Sequence, residues 1–358
     1  MADFKITPNT FAASTASRTT SQSEPPTSIF FICGNPGLIG YYHTFLSLLS
    51  AELSSRFIHG LSESGCSNTH IFNIYGASFA GFEIDSLETG DGDTNKEARG
   101  DPAKLYGLEQ QIDFVQSKLS AFMYANGSSN SIAPNEKKWL KRPRVILVGH
   151  SVGGYISMEI LRRHREKTFG SEFDIIGAVL LFPAVMDIAV SPAGWRLTLL
   201  LYFIPQLALL VSLLVKFLTI VFPDALLRFL IRLVTRFPAG DNTGTTLAFL
   251  KSKSGVRQAL YMATDEMRDI STDKWSDDIW GMPCGDVKTP KPKLVFYFGR
   301  NDHWVAERTR DEIIAMRGKC GGPKMVVCED GLPHGFSIRH SDVMARKVAG
   351  YIEDILVG

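Results

Sequence analysis

An α/β fold built on a doubly wound, mostly parallel sheet is predicted by three observations. Short apolar, β-branched runs recur along the chain, each bounded by Gly, Pro or Asn. Helical periods separate these runs through both ends of the sequence. The strongest run, RVILVGH (144–150), has no polar alternation, as expected of a central parallel strand covered on both faces.

Each element can be justified in order. Residues 7–28 are rich in Ser and Thr and almost free of acids, a composition shared by transit peptides and disordered tails. Residues 1–27 are taken as a disordered tail and 28–358 as one α/β domain. SIFFIC (28–33) reads as a buried strand closed by the turn-rich GNPG (34–37). A helical period follows from Tyr41 to Phe57, then a second strand, HIFNIYG (70–76). Residues 85–101 are acidic and Gly-rich and read as a solvated loop. A helix is expected over Tyr106–Tyr124, a polar loop over 125–141, the strand 144–150, and a helix from Val152 to Arg165. IIGAVLLF (175–182), KLVFYFG (293–299) and PKMVVCED (323–330) complete the strands, and a helix over Ser341–Leu356 ends the chain. Between Phe182 and Pro292 the alternation stops, so 186–290 reads as a helical insertion.

Bulk properties exclude several functions. The 358 residues carry 38 Lys+Arg against 37 Asp+Glu, so no global charge points to nucleic acid. Five cysteines (Cys33, Cys66, Cys284, Cys320, Cys328) form no CxxC pair, which argues against a zinc site or a disulfide framework. A basic segment followed by an apolar one is missing at the N-terminus, so a secretory signal is not expected.

The chemistry gathers around Gly149-His150-Ser151-Val152-Gly153. G-x-S-x-G alone is weak, with roughly 0.2 chance matches expected in a chain of this size. GASFA (76–80) is a near-miss. What distinguishes Ser151 is its place between a buried strand and a helix, where a nucleophile elbow must lie. Such a tight turn needs small neighbours, supplied by Gly149, Gly153 and Gly154. A serine hydroxyl needs a histidine base oriented by a carboxylate, in the chain order Ser, acid, His. Asp302 follows the strand 293–299, and His334 follows 323–330, so both fall on the sheet edge that carries Ser151. His303, His150 and Asp187 are weaker candidates: one neighbours Asp302, one precedes the nucleophile and one is a fallback acid. For the oxyanion, Val152 offers one backbone N–H and the 34–37 loop the other. Pro36 has none, which leaves Asn35. No metal or organic cofactor is called for.

From Leu197 to Val215 no residue is charged. Hydropathy alone would indicate a membrane span, but Pro205 divides the run into pieces too short to cross singly. In LLRFLIRLVTRF (226–237), Arg228, Arg232 and Arg236 recur every fourth residue along an apolar helix, a pattern suited to a lipid surface. The segment 197–237 is therefore expected to lie on a lipid monolayer or membrane, with a lid packed on its own domain or a true span as alternatives. An apolar substrate follows from either of the first two.

FICGNPGLIGYYHTF (31–45), GHSVGGYI (149–156), LLFPAV (180–185), FGRNDHWV (298–305) and PHGF (333–336) resemble, in this order, the lipid droplet-associated hydrolase family. The resemblance implies an α/β-hydrolase fold with an apolar lid, and a triad of Ser151, Asp302 and His334. It also implies a lipophilic sterol or acyl ester as substrate, and residence at the cytosolic face of lipid droplets or the endoplasmic reticulum, with the cytoplasm as the alternative. Where the family carries a His-containing motif near the second strand, this chain has Ser78-Phe79-Ala80-Gly81-Phe82, which leaves the ester's identity open. Acyl transfer with the same triad, or a lipid-surface protein with a weak catalytic core, are the competing readings.

Overall fold

The computed structural model describes residues 3–15, 26–59, 70–84, 100–101, 104–128, 142–235, 241–282 and 291–357. Among the described residues the sheet has eight strands, in the order β1-β2-β4-β3-β5-β6-β7-β8. These are β1 (Asp3–Thr7), β2 (Thr10–Ser14), β3 (Thr27–Ile32), β4 (Phe72–Ala77), β5 (Arg144–His150), β6 (Asp174–Leu181), β7 (Lys293–Phe298) and β8 (Lys324–Val327). From β4 through β8 every neighbouring pair is parallel.

Alternate residues of β3 show how the sheet is covered. Phe31 meets Phe45 of helix α1 (His43–His59), while Phe30 meets Phe122 of helix α2 (Leu108–Ser128). Successive side chains of a strand point to opposite faces, so helices lie on both. Helix α10 (Ser341–Val357) packs beside α1, and α3 (Val152–Arg165) beside α2. Burial on both sides explains why β3 and β5 read as unbroken apolar runs. One further helix, α9 (Glu307–Arg317), was not foreseen; its charged run ERTRDEIIAMR buries only Thr309 and Ile313.

One expectation is overturned. Residues 3–14 are not a tail: β1 and β2 form an antiparallel hairpin, and β2 pairs antiparallel with β4. The alternation in TFAAS buries Phe11 and Ala13. Asn9 fixes the turn, its amide group donating to Ile84 O and its Oδ1 accepting from Ile84 N. The Ser- and Thr-rich composition of 7–28 masked this hairpin, although Thr is β-branched and suits a strand. The Cys66 and Cys284 positions, most of the acidic 85–101 segment and Arg236 lie outside the described residues; Cys33, Cys320 and Cys328 are free.

Between β6 and β7, among the described residues, stand five helices: α4 (Pro192–Phe203), α5 (Leu207–Val221), α6 (Asp224–Thr235), α7 (Asp241–Lys251) and α8 (Gly255–Asp269). Ser191 caps α4 by accepting from Gly194 N, with Pro192 next in line. The chain breaks around Pro205, and α4 and α5 meet at a 95° bend. Among the described residues no single helix is long and apolar enough to cross a membrane, and this bent pair passes only by combined length and composition. Helix α5 is inverted: its buried residue is Ser212, while Leu213, Phe217 and Ile220 are 54%, 60% and 83% exposed. Helix α6 seats Leu227 and Ile231 on Leu247 and leaves Phe229, Leu233 and Val234 outward, beside Arg228 and Arg232.

Candidate active site

Ser151 sits between β5 and α3 with φ 56° and ψ −121°, a left-handed conformation that L residues avoid unless the surroundings enforce it. Three glycines make the enforcement sterically feasible. A Cβ on Gly149 would lie 2.3 Å from Gly153 O, and one on Gly153 would lie 2.4 Å from Ile32 O. On Gly154 it would come within 2.9 Å of Pro183 Cβ. Ser151 N donates to Leu181 O at 2.9 Å, and Ser151 O accepts from Gly154 N and Ala184 N. The turn is thereby tied to β6 as well as to its own helix.

Ser151, Asp302 and His334, which follow strands β5, β7 and β8, are brought together. His334 Nδ1–H donates to both oxygens of Asp302, at 2.9 and 2.8 Å. With the proton on Nδ1, Nε2 is free to accept from the Ser151 hydroxyl, at 2.9 Å. Asp302 is buried. Burial alone would raise its pKa, but the hydrogen bonds and charge of His334, with the Trp304 N–H, outweigh that and hold it below the ordinary value. It stays a carboxylate that fixes the imidazole's tautomer.

The weaker candidates are accounted for. His303 is exposed, and its carbonyl accepts from Ala193 N at the base of α4. Asp187 begins the 3-10 turn before α4, where burial and then Glu312 raise its pKa and Arg308 lowers it, and His334 bonds Asp302 instead. His150 is buried and structural. Its Nε2–H donates to His334 O at 2.9 Å, and its Nδ1 accepts from Tyr42 Oη–H at 2.8 Å. Tyr42 Oη in turn accepts from Gly34 N–H at 3.2 Å. Burial, with the neighbouring His334, pushes the pKa of His150 down to about 3, so it remains neutral. The chain Gly34–Tyr42–His150–His334 thus links the loop after β3 to the loop after β8. Tyr42 escaped sequence reasoning because its partner is 108 positions away.

Above Ser151 and His334 opens a cavity of about 340 Å³. Asn35, Pro36 and Tyr41 form one wall, Trp304 and Ile338 another, and Ile188, Ala263 and Glu266 the cap side. Asn35 and Val152 both lie at the serine's edge, Val152 as the first residue of α3, where a helix has N–H groups without intrahelical partners. The Asn35 side chain turns the other way, with Nδ2 donating to Ala259 O at 3.0 Å and Glu266 Oε1 at 2.8 Å. Burial raises the Glu266 pKa to about 7, the Asn35 bond lowering it and Asp265 adding to the rise. Glu266 was missed because nothing local marks it: it sits 231 positions from Asn35 on an insertion helix.

A strand–turn–helix carrying Ser151 on a mostly parallel sheet, with an acid and a histidine on the following strand ends, defines the α/β-hydrolase fold. Solved structures share the fold: a serine hydrolase of the polyaromatic hydrocarbon-degrading bacterium Cycloclasticus zankles has a TM-score of 0.52 at 14% identity, over 100% of this chain and 99% of that one. An epoxide hydrolase of Vigna radiata has a TM-score of 0.51 at 15% identity, over 99% and 98%. The family model described as lipid-droplet associated hydrolase matches residues 25–337, and the chain belongs to that family. The lipid droplet-associated hydrolase of Gallus gallus is 29% identical, over 95% of this chain and 89% of its own. That of Homo sapiens is 26% identical, over 94% and 87%.

Proposed function

We propose that this hydrolase cleaves lipophilic carboxylic esters through an acyl-enzyme on Ser151, working at a lipid surface. The observation that carries the reading is the unbroken hydrogen-bonded chain Ser151–His334–Asp302 at the floor of a largely apolar cavity. As Ser151 Oγ attacks the ester carbonyl carbon, its proton passes to His334 Nε2. Asp302 stabilises the imidazolium, and the N–H groups of Asn35 and Val152 receive the oxyanion. Collapse breaks the bond to the alcohol oxygen, which takes the proton from Nε2. Water then gives a proton to Nε2 as its oxygen bonds to the acyl carbon, and Oγ departs with that proton.

The lipid seat is supported by the inverted polarity of α5, by the exposed apolar residues of α4 and α6, and by Arg228 and Arg232 beside them. Relatives named for lipid droplets support droplet association. Fluorophosphonate labelling and a series of chromogenic esters of increasing acyl length test the chemistry. The wild-type chain is expected to label and to turn over the longer esters, and Ser151→Ala to lose both, with turnover down about 10⁴-fold or more. Unaltered hydrolysis by Ser151→Ala would remove the serine from the mechanism.

A further inference from the structure

The loop from Gly34 to Tyr42 is gripped on two sides. Below, Gly34 and Tyr42 are tied to His150 and so to the sheet edge. Above, Tyr41 Oη meets Thr246 Oγ1 of α7 at 2.9 Å, and the Asn35 carboxamide bonds Ala259 O and Glu266 Oε1 of α8. Glu266 is 4% exposed, and among the described residues it is the carboxyl that lines the cavity. Neither of the groups acting on it is a cation: one is the Asn35 amide, the other the like-charged Asp265. A carboxyl buried without a counter-charge is a costly way to fill space, since an apolar residue of similar volume would pack there at less expense. What the carboxyl provides and an apolar residue cannot is an acceptor for Asn35 Nδ2–H.

We infer that Glu266 is a positioning residue which, from the cap helix α8 and together with the Ala259 carbonyl, holds the Asn35 side chain and through it the Asn35 backbone N–H at the oxyanion site. This rests on the proposed roles of Ser151 as nucleophile and Asn35 N–H as oxyanion donor. One of the two donors is then referenced to the cap, and the other, Val152 N–H, to the sheet. Helix α8 packs against α5, so the cap carrying the exposed apolar face also carries the setting of one donor.

The test measures kcat and KM of the full chain on the ester that wild type hydrolyses best, for Asn35→Ala, Glu266→Ala, their double variant and Glu266→Gln. Asn35→Ala keeps its backbone N–H, so the donor itself is not removed and a loss shared with Glu266→Ala reports their linkage. Both single variants are expected to lose about 10- to 100-fold in kcat, short of the 10²–10³ for deleting a donor outright, with KM within about twofold. The double variant should be no slower than the slower single one, because both substitutions remove one linkage. Glu266→Gln should return to within about threefold of wild type, its amide oxygen accepting the same bond. Should Glu266→Ala fail to fold, Asn35→Ala and Glu266→Gln still decide the matter. Wild-type kcat in Asn35→Ala, losses that multiply in the double variant, a change confined to KM, or a Glu266→Gln as slow as Asn35→Ala would each overturn the inference. A wild-type chain that neither labels with fluorophosphonate nor hydrolyses any ester sinks the underlying serine mechanism instead.

Discussion

The sheet edge below the cavity and the cap helices above it follow opposite packing rules. At the edge, Gly149, Gly153 and Gly154 bring backbones so close that a methyl group has no room, and Ser151 is held at φ 56°. In the cap, α5 turns Ser212 inward and its leucines outward, and the neighbouring Tyr202 of α4 is 78% exposed. The edge spends conformational freedom to fix atoms to within tenths of an ångström. The cap leaves apolar surface unburied, which in water alone would be a liability. Under the proposed function, chemistry that depends on angles belongs to the first region and contact with a soft, variable lipid surface to the second.

This contrast can be attacked directly. The largest effect is expected at the elbow. Gly153→Ala places a Cβ against Ile32 O and Cys33 O, at 2.4 and 2.5 Å. Neither carbonyl can move without tearing β3 from its register, so a loss of more than about 4 kcal/mol in stability is expected, read by chemical denaturation. A variant that melts like wild type would show the edge to be softer than its geometry. Next is the cap. Leu213→Ser with Phe217→Ser should leave the melting temperature within a degree or two of wild type, since both side chains face outward. Binding to phospholipid-coated oil emulsions should fall about 100-fold, from roughly 1.5 kcal/mol of lost apolar burial per side chain. Lower stability with unchanged emulsion binding would reverse the assignment of the two regions.

The smallest effect sits at the junction. His150, with its pKa lowered to about 3, stays neutral in the folded protein while the unfolded chain takes up a proton below about pH 6.5. That costs stability as pH falls from 6.5. Glu266, raised to about 7, is protonated in the folded protein while the unfolded chain loses its proton above about pH 4.5. That adds stability over the same descent. Between pH 6.5 and 5.0 the two offset in wild type, whereas Glu266→Gln keeps only the loss. The difference should reach about 2 kcal/mol at pH 5.0, read from denaturation curves at both pH values. Parallel pH dependences in the two proteins would mean that Glu266 ionises normally.

The sheet was legible because its central strands are covered on both faces and so read as unbroken apolar runs: β5 spans the very residues of RVILVGH. Asp302 and His334 were legible as an acid and a histidine that follow, in the order Ser, acid, His, two strands ending on the serine's edge. What could not be read was pairing at a distance. Tyr42 and His150, or Asn35 and Glu266, carry no mutual signal in sequence, because a hydrogen bond across 108 or 231 positions leaves no period. The hairpin at 3–14 was lost differently: its alternation spans two short strands, and the surrounding serines and threonines carry the composition of a tail.

That hairpin decides where the molecule ends sideways. β2 occupies the flank of β4 that β3 does not, and β1 then shields β2. A chain begun at residue 28 would present Phe72–Ala77 as an open, parallel-sheet border, with the hole left by Phe11 beside it. Such a border invites pairing between molecules. Truncations or fusions that remove residues 3–14 are therefore expected to lower solubility before they touch catalysis.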